Sequence, residues 1–341
     1  MPSPFPNLPS NQRGRVLTLS HTSACLAGNP WDDPVERDVL VYLPPGYDAG
    51  WTYPAILVLP AFAGTGEGLL ARGLSDVSLA SRMDRLIADG CPRFIAVLPD
   101  TMTSLGGSQY VDSPALGAYQ TYVAEEIPEF VADHAPINGR WAAVGRSSGG
   151  YGALRLAMDR PGLLSAVACH AGDMGFPLTY ASDVRAAVRG VRALGGLEGF
   201  VQRFWELRRP PGDAFAALNL LAMSAAYDPD PTATPFPARL PFDEDGAVDL
   251  AAFARWAPHD PLVRIQQDGV ADALRQLDLL FLDAGDSDEY GLHLSLRRFV
   301  AALAERGIPH EHEEHPGGHR GTAWRYDVSI PKLAAALSEG G

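Results

Sequence analysis

The chain has 341 residues, of which 46% are hydrophobic and 20% charged, and its formal net charge is −14. This composition supplies a large core and excludes disordered and coiled-coil proteins. The acidic excess argues against nucleic acids and anionic membranes as partners. The three cysteines follow no metal or disulfide spacing, and we find neither a signal-peptide pattern nor an apolar run long enough to cross a bilayer. We therefore expect a cytoplasmic protein.

Apolar runs and amphipathic segments alternate along most of the chain. Runs of strand character lie at residues 15–20, 38–43, 55–59, 94–98, 141–144, 164–169, 279–282 and 310–315. Segments with helical spacing lie at residues 78–89, 119–134, 151–159, 293–306 and 331–338. The alternation predicts an α/β fold with a mainly parallel central sheet and helices on both faces.

Residues 174–262 break this alternation, because no run there is typical of a central strand. The segment contains three helical patterns and a proline-rich passage, at residues 184–194, 200–207, 214–226 and 228–241. Insertions in such folds fall in loops at the carboxyl ends of the strands, beside the site. We therefore predict a mostly helical cap over 174–262, a core formed by 15–173 and 263–341, and a loose arm over residues 1–14.

A strand-to-helix turn carries the pattern Gly145-Arg146-Ser147-Ser148-Gly149. Glycines on both sides of the serine allow a tight turn that lifts one hydroxyl clear of the backbone, as in a nucleophile elbow. The helix that follows points its N-terminus at the turn, where it favours a developing negative charge. The alternative is a glycine-rich turn whose serines only cap the helix. We take Ser147 as the candidate nucleophile.

A serine nucleophile needs a base, and the base needs an acid that fixes its orientation. In one large group of α/β enzymes the three follow in the order serine, acid, histidine. His319 comes after two glycines, and Asp288 precedes it by 31 residues, the length of one helix plus one strand. Both side chains would then reach the same edge of the sheet. Asp286 and Glu289 are alternative acids, and Asp283, still near the strand, is expected to be structural.

Further residues are candidates for stabilising and binding a substrate. An oxyanion needs two backbone N–H donors, for which Ser148, after the nucleophile, and Phe62, in the small-residue loop after run 55–59, are candidates. Tyr110, in a glycine-rich loop, and Trp205, in an aromatic cluster of the cap, are candidates for contacting the substrate. The alternative role of the aromatic cluster is packing against the core.

Three histidines near the C-terminus raise the alternative of a metal site. His310, His312 and His315 fall within one predicted strand. The glutamates between them indicate an exposed strand edge, and no cysteine or second histidine pair completes a zinc site. We therefore predict neither a metal nor another cofactor.

Together these motifs resemble the esterase D-like "putative esterase" family of α/β-hydrolases, which includes S-formylglutathione hydrolases, feruloyl and enterochelin esterases and mycolyltransferases. The resemblance rests on segments 41–47, 106–108, 145–154, 283–288 and 316–319, with Trp324 close behind. It implies an α/β-hydrolase fold and a triad of Ser147, Asp288 and His319. The chain departs from the family at Pro60-Ala61, where His-Gly is usual, and in the length of its cap.

The leading hypothesis is a serine hydrolase that cleaves a small-molecule carboxylic ester through an acyl-enzyme. A thioesterase or an acyltransferase would use the same residues. A non-catalytic binding protein on a hydrolase fold and a metal-dependent hydrolase are alternatives from other classes. Neither the acyl and alcohol groups nor the oligomeric state is predicted from the sequence.

Overall fold

A computed structural model describes residues 8–72, 77–243 and 245–338. The strands of these residues are β1 (Arg15–Thr22), β2 (Glu36–Leu43), β3 (Tyr53–Leu59), β4 (Ile95–Pro99), β5 (Asp112–Ser113), β6 (Gly117–Ala118), β7 (Ile137–Arg146), β8 (Ala166–His170), β9 (Leu279–Gly285) and β10 (Glu311–His315). Eight of them form one sheet in the order β1-β2-β4-β3-β7-β8-β9-β10, and β5 pairs with β6.

Most of the large sheet is parallel. Neighbouring strands from β4 to β10 pair in parallel, whereas β2 is antiparallel to both β1 and β4. The carboxyl ends of β7, β8, β9 and β10 therefore lie side by side at one edge. Every residue of β3 is buried, as expected for a strand covered on both faces.

The α-helices of the described residues are α1 (Gly66–Leu70), α2 (Leu79–Ala88), α3 (Tyr119–Thr121), α4 (Ile127–His134), α5 (Ser148–Asp159), α6 (Phe176–Ala181), α7 (Val184–Ala193), α8 (Gly196–Arg203), α9 (Gly212–Tyr227), α10 (Leu250–Trp256), α11 (Pro261–Arg264), α12 (Asp268–Arg275), α13 (Leu292–Glu305) and α14 (Tyr326–Ser338). None of them has the length and apolar character that crossing a membrane would need.

Helices cover both faces of the sheet. Because side chains alternate along a strand, Leu57 of β3 packs into one apolar layer with α4, α5, α12 and α13. Its neighbours Ile56 and Val58 pack into the opposite layer with α2 and α14. The predicted architecture, a mainly parallel sheet between two helical layers, is confirmed.

Helices α6 to α10 lie within residues 174–262, and the described residues of this segment add no strand to the large sheet. Their apolar side chains form a third cluster, which also includes Leu105 from the loop after β4, Leu116 from the turn between β5 and β6, and Tyr151 of α5. The segment is therefore packed on the core beside the carboxyl ends of the strands. The cap boundaries stay a prediction.

Three segments differ from the sequence-based expectation or fall partly outside the described residues. The helix expected over 119–134 is interrupted by a π-helical turn, Tyr122–Glu126, between α3 and α4. The last helix, α14, begins at Tyr326 and contains Pro331, where the predicted helix began. Residues 1–7 of the expected arm lie outside the described residues, and Gly14 donates its N–H to Asp84 of α2.

Candidate active site

The turn between β7 and α5 has the geometry of a nucleophile elbow. Ser147 lies at φ 54° and ψ −126°, and its N–H donates to the carbonyl of His170 on β8. A Cβ on Gly149 would lie 2.0 Å from the carbonyl oxygen of Leu59, and a Cβ on Gly145 would lie 2.2 Å from the carbonyl carbon of Gly149. Only glycine fits at either position, so the two glycines permit the close approach of β7, α5 and β3.

The structure brings Ser147, His319 and Asp288 into one hydrogen-bonded series. Nε2 of His319 lies 3.0 Å from Oγ of Ser147, and Nδ1 lies 2.8 Å from Oδ2 of Asp288. The other oxygen of Asp288 accepts the N–H of Tyr290 at 2.9 Å. A carboxylate that accepts the Nδ1 proton leaves Nε2 free to accept from a serine hydroxyl. The arrangement can therefore take a proton from Ser147.

The other acids of the loop after β9 support the histidine loop through its backbone. Asp286 accepts the N–H of Gly317 at 3.1 Å, and Glu289 accepts the N–H of His319 at 2.6 Å. These backbone hydrogen bonds hold the pKa of both carboxyls below its ordinary value. Among the three acids of this loop, the structure brings Asp288 to the imidazole ring.

Asp283 lies deeper, inside β9, and contacts neither Ser147 nor His319 among the described contacts. Its carboxylate accepts from His170 of β8 at 2.7 Å and from Arg325. Burial alone would raise the pKa of Asp283, but the charge and hydrogen bonds of His170 and Arg325 outweigh burial and lower it. This is the structural position that the sequence predicted for Asp283.

The two candidate oxyanion donors, Phe62 and Ser148, both line the cleft over Ser147. Ser148 is the first residue of α5, so its N–H has no acceptor within the helix. Phe62 lies in the loop after β3, which is fixed by a hydrogen bond from the Tyr110 hydroxyl to the Pro60 carbonyl at 2.6 Å. The Tyr110 hydroxyl thus fixes the backbone of the loop that contains Pro60 and Ala61.

Tyr110 and Trp205, expected to contact substrate, do not line this cleft. Tyr110 is buried, and a Cβ on Gly152 would lie 2.3 Å from its ring, so it packs beneath α5. Trp205 is 61% exposed and donates its Nε1–H to the carbonyl of Ser104, which ties the cap to the loop after β4. Both positions have one reason, since loop and cap packing decides which aromatic rings reach the cleft. The substrate contacts themselves stay predictions.

The cleft has a volume of about 270 Å³ and includes residues that the sequence analysis missed. The missed side chains come from the loop after β8, the cap, the loop after β9 and the start of α13: Asp173, Thr179, Tyr180, Asn219, Tyr290 and Leu292. Asp173 had a usable signal, because it follows a parallel strand whose carboxyl end lies at the site. The cap residues had none, since their positions depend on how the helices pack.

The three histidines of the β10 region do not form a metal centre with other residues in the described ranges. There, no group of three or more histidine, cysteine, aspartate or glutamate side chains is arranged to hold an ion. His310 directs Nδ1 to the carbonyl of Ile308 at 2.8 Å, and the ring of His315 packs against Trp324.

Comparison with known proteins gives one family and a set of similar folds. Residues 34–333 match the model of the family described as "Putative esterase". The chain is similar to a ferulic acid esterase, with 17% identity, a TM-score of 0.59, and 95% of this chain and 99% of that chain covered. No curated protein sequence matches the chain.

Two further solved structures share the fold. An S-formylglutathione hydrolase from Agrobacterium tumefaciens has 16% identity and a TM-score of 0.59, over 95% of this chain and 96% of that chain. A fluorophosphonate-binding serine hydrolase from Staphylococcus aureus has 15% identity and a TM-score of 0.55, over 95% and 98%. Their lengths and folds correspond to this chain along nearly its whole length.

Proposed function

The chain belongs to the "Putative esterase" family, and on that premise we propose that it hydrolyses small-molecule carboxylic esters through an acyl-enzyme on Ser147. The observation that carries the proposal is the hydrogen-bonded series from Asp288 through His319 to Ser147 at a strand-to-helix turn that opens into a cleft. The same geometry has no evident use in a protein that only binds a ligand.

In the first half of the reaction His319 takes the proton of Ser147 while Oγ attacks the ester carbonyl. The N–H groups of Ser148 and Phe62 stabilise the oxyanion of the tetrahedral intermediate. The intermediate collapses, the alcohol leaves with the proton from His319, and the acyl group stays on Oγ. Asp288 remains ionised and fixes the imidazole ring.

In the second half a water molecule replaces the alcohol. His319 takes a proton from this water as its oxygen attacks the acyl carbonyl, and the same N–H groups stabilise the second oxyanion. Collapse releases the carboxylic acid and returns the proton to Ser147. A thioesterase or an acyltransferase would follow this path with a different leaving group or acceptor, so thioester substrates and added alcohols distinguish them.

Replacing the nucleophile tests the proposal. We expect Ser147→Ala to lose at least about 10³-fold in kcat for short p-nitrophenyl esters, because the covalent step is removed. A fluorophosphonate should label the wild-type protein at Ser147 and leave the variant unlabelled. Full turnover by a purified, folded Ser147→Ala protein would show that another group performs the reaction.

The remaining inferences from composition stay predictions. They are a cytoplasmic location, a small-molecule ester as the partner, and no nucleic acid or membrane as a partner. Fractionation of the source cells and a nucleic-acid binding assay at low salt would check them.

A further inference from the structure

One buried carboxylate of the cleft has no part in the proposed reaction. Asp173 follows β8, is 5% exposed, and lines the same cleft as Ser147. Its Oδ2 accepts from Nε2 of Gln109 at 3.0 Å, from the hydroxyl of Tyr180 at 3.0 Å and from Oγ of Ser148 at 3.4 Å. All three donors are neutral, and they converge on one oxygen.

The second oxygen, Oδ1, is left for a ligand. It accepts no hydrogen bond from the described residues. It also keeps some accessible surface, unlike the unpaired polar atoms of these residues that are fully enclosed. Within the described ranges Asp173 also forms no ion pair, whereas Asp283 and Asp288 each lie beside a basic side chain. Burial raises the pKa of Asp173, and its hydrogen bonds and the nearby His319 offset the effect of burial only in part. A cationic group at Oδ1 would complete this site.

The surroundings of Asp173 favour a cation of organic type. The rings of Phe62, Phe215 and Tyr180 line the same cleft, and Phe62 and Phe215 pack edge to face at 5.7 Å between their centroids. The faces of aromatic rings attract an ammonium group. A carboxylate oxygen next to aromatic rings is suited to a protonated amine and not to an aliphatic chain.

The two arginines that line the cleft lie beside His319. Arg146 donates to the carbonyl of His319 at 3.4 Å, and Arg320 is the next residue after His319. His319 gives its proton to the departing alcohol, so this is the side of the leaving group. Asp173 instead contacts the hydroxyl of Ser148, the proposed oxyanion donor, and no described hydrogen bond or ion pair joins it to Arg146, His319 or Arg320.

We propose that Asp173 is a specificity-determining residue that selects esters whose acyl group carries a protonated amine. The inference rests on the proposed function, because it concerns which esters reach Ser147. The carboxylate holds the ammonium group on the acyl side, so these esters bind with the carbonyl at the two N–H donors. Esters with an isosteric neutral acyl group lack this contact.

Matched ester pairs test the inference in the wild-type protein. Ethyl esters of glycine, β-alanine and 4-aminobutyrate are compared with those of propionate, butyrate and valerate, which have the same shape without the charge. Each kcat/KM is divided by the rate of hydroxide-catalysed hydrolysis of that ester. At least one amine-bearing ester should exceed its neutral partner by about 10-fold or more. Equal values in all three pairs, or a preference for ethyl hemisuccinate, would overturn the inference.

A substitution then assigns the preference to Asp173. In Asp173→Asn the ratio for the preferred pair should fall by about 10-fold, because the amide keeps the shape and loses the charge. The matched control is Asp33→Asn, which removes another buried carboxylate of raised pKa that does not line the cleft, and its ratio should stay that of the wild type. A merely structural role for Asp173 would lower turnover of both esters and leave the ratio unchanged.

These experiments distinguish a failure of the inference about Asp173 from a failure of the proposed esterase function. Turnover of the neutral esters that depends on Ser147, without preference in any pair, would overturn the inference alone. Absence of Ser147-dependent turnover for every ester would overturn both. Thermal melting of each variant checks folding, and the wild-type ratios remain decisive where Asp173→Asn does not fold.

Discussion

Asp288 uses its two oxygens for two different tasks. Oδ2 accepts from the ring of His319, while Oδ1 accepts the N–H groups of Tyr290 at 2.9 Å and Leu292 at 3.4 Å. Its side chain is fully enclosed. The backbone donors therefore fix the carboxylate before a substrate arrives, and the carboxylate in turn fixes the ring.

Replacing Asp288 by asparagine should lower kcat by about 10³–10⁴-fold, because an amide that donates to Nδ1 stabilises the wrong tautomer of His319. Turnover of a short p-nitrophenyl ester measures this effect. The control is Asp286→Asn. The carboxylate of Asp286 accepts from the backbone of Gly317, so this variant should lose far less kcat. An equal loss in both variants would contradict the assignment of Asp288 as the orienting acid.

At the scale of residues, much of the site followed from chain order. The motif around Ser147, the two glycines before His319 and the reach of the loop after β9 are local properties of the sequence. The substrate contacts predicted for Trp205 and Tyr110 stay predictions, and neither ring lines the cleft, because no local pattern indicates which ring faces it. Asp173 was missed although it follows a parallel strand at the site, because no motif surrounds this single carboxylate.

At the scale of elements, the pair β8 and β9 carries a buried ionic group below the site. His170 and Asp283 are partners in the register of these strands, and Arg325, just before α14, reaches the same carboxylate. The group thus joins the strands to the helix that covers one face of the sheet. Ser329 of α14 lies 2.8 Å from the other ring nitrogen of His170.

The lowered pKa of Asp283 predicts the pH dependence of stability. Its contribution is complete above the pKa of the unfolded chain, about 4, and is lost as the pH falls through the lower folded value. Asp283→Asn should cost about 3 kcal/mol or more at pH 7 and should show a weaker loss of Tm below pH 4 than the wild type.

Thermal melting between pH 7 and pH 2.5 measures this difference. The control is Asp272→Asn, which breaks an exposed pair with Arg275 on α12 and should change stability by less than about 0.5 kcal/mol. Parallel pH profiles of the wild type and Asp283→Asn would contradict the ionic role of Asp283.

At the scale of the whole molecule, the cap shares its core with the rest of the chain. Helix α9 is buried on nearly all sides from Ala217 onwards, and its cluster includes Leu105 and Tyr151 from outside the cap. The sheet was predictable because buried parallel strands are continuous apolar runs. The packing of the cap was not, because a helix buried all round has no single apolar face that indicates its neighbours.

This shared core predicts one cooperative unfolding transition. Leu221→Ala, in the middle of α9, should destabilise the protein by about 2–5 kcal/mol, and the cap and sheet should still melt together. Scanning calorimetry measures both properties. Leu250→Ala, at a 75% exposed position of α10, is the control and should melt close to the wild type. Two separate transitions would indicate a cap that folds by itself.

The backbone of Ser147 has a positive φ, a conformation that is strained for every residue except glycine. With φ at 54°, any residue except glycine carries strain of about 1–3 kcal/mol there, and alanine carries it as serine does. A Ser147→Ala protein should therefore match the wild type in stability, which makes it a clean catalytic control. Glycine at residue 147 would relieve this strain but would remove the hydroxyl, so folding and the proposed reaction favour different residues at this position.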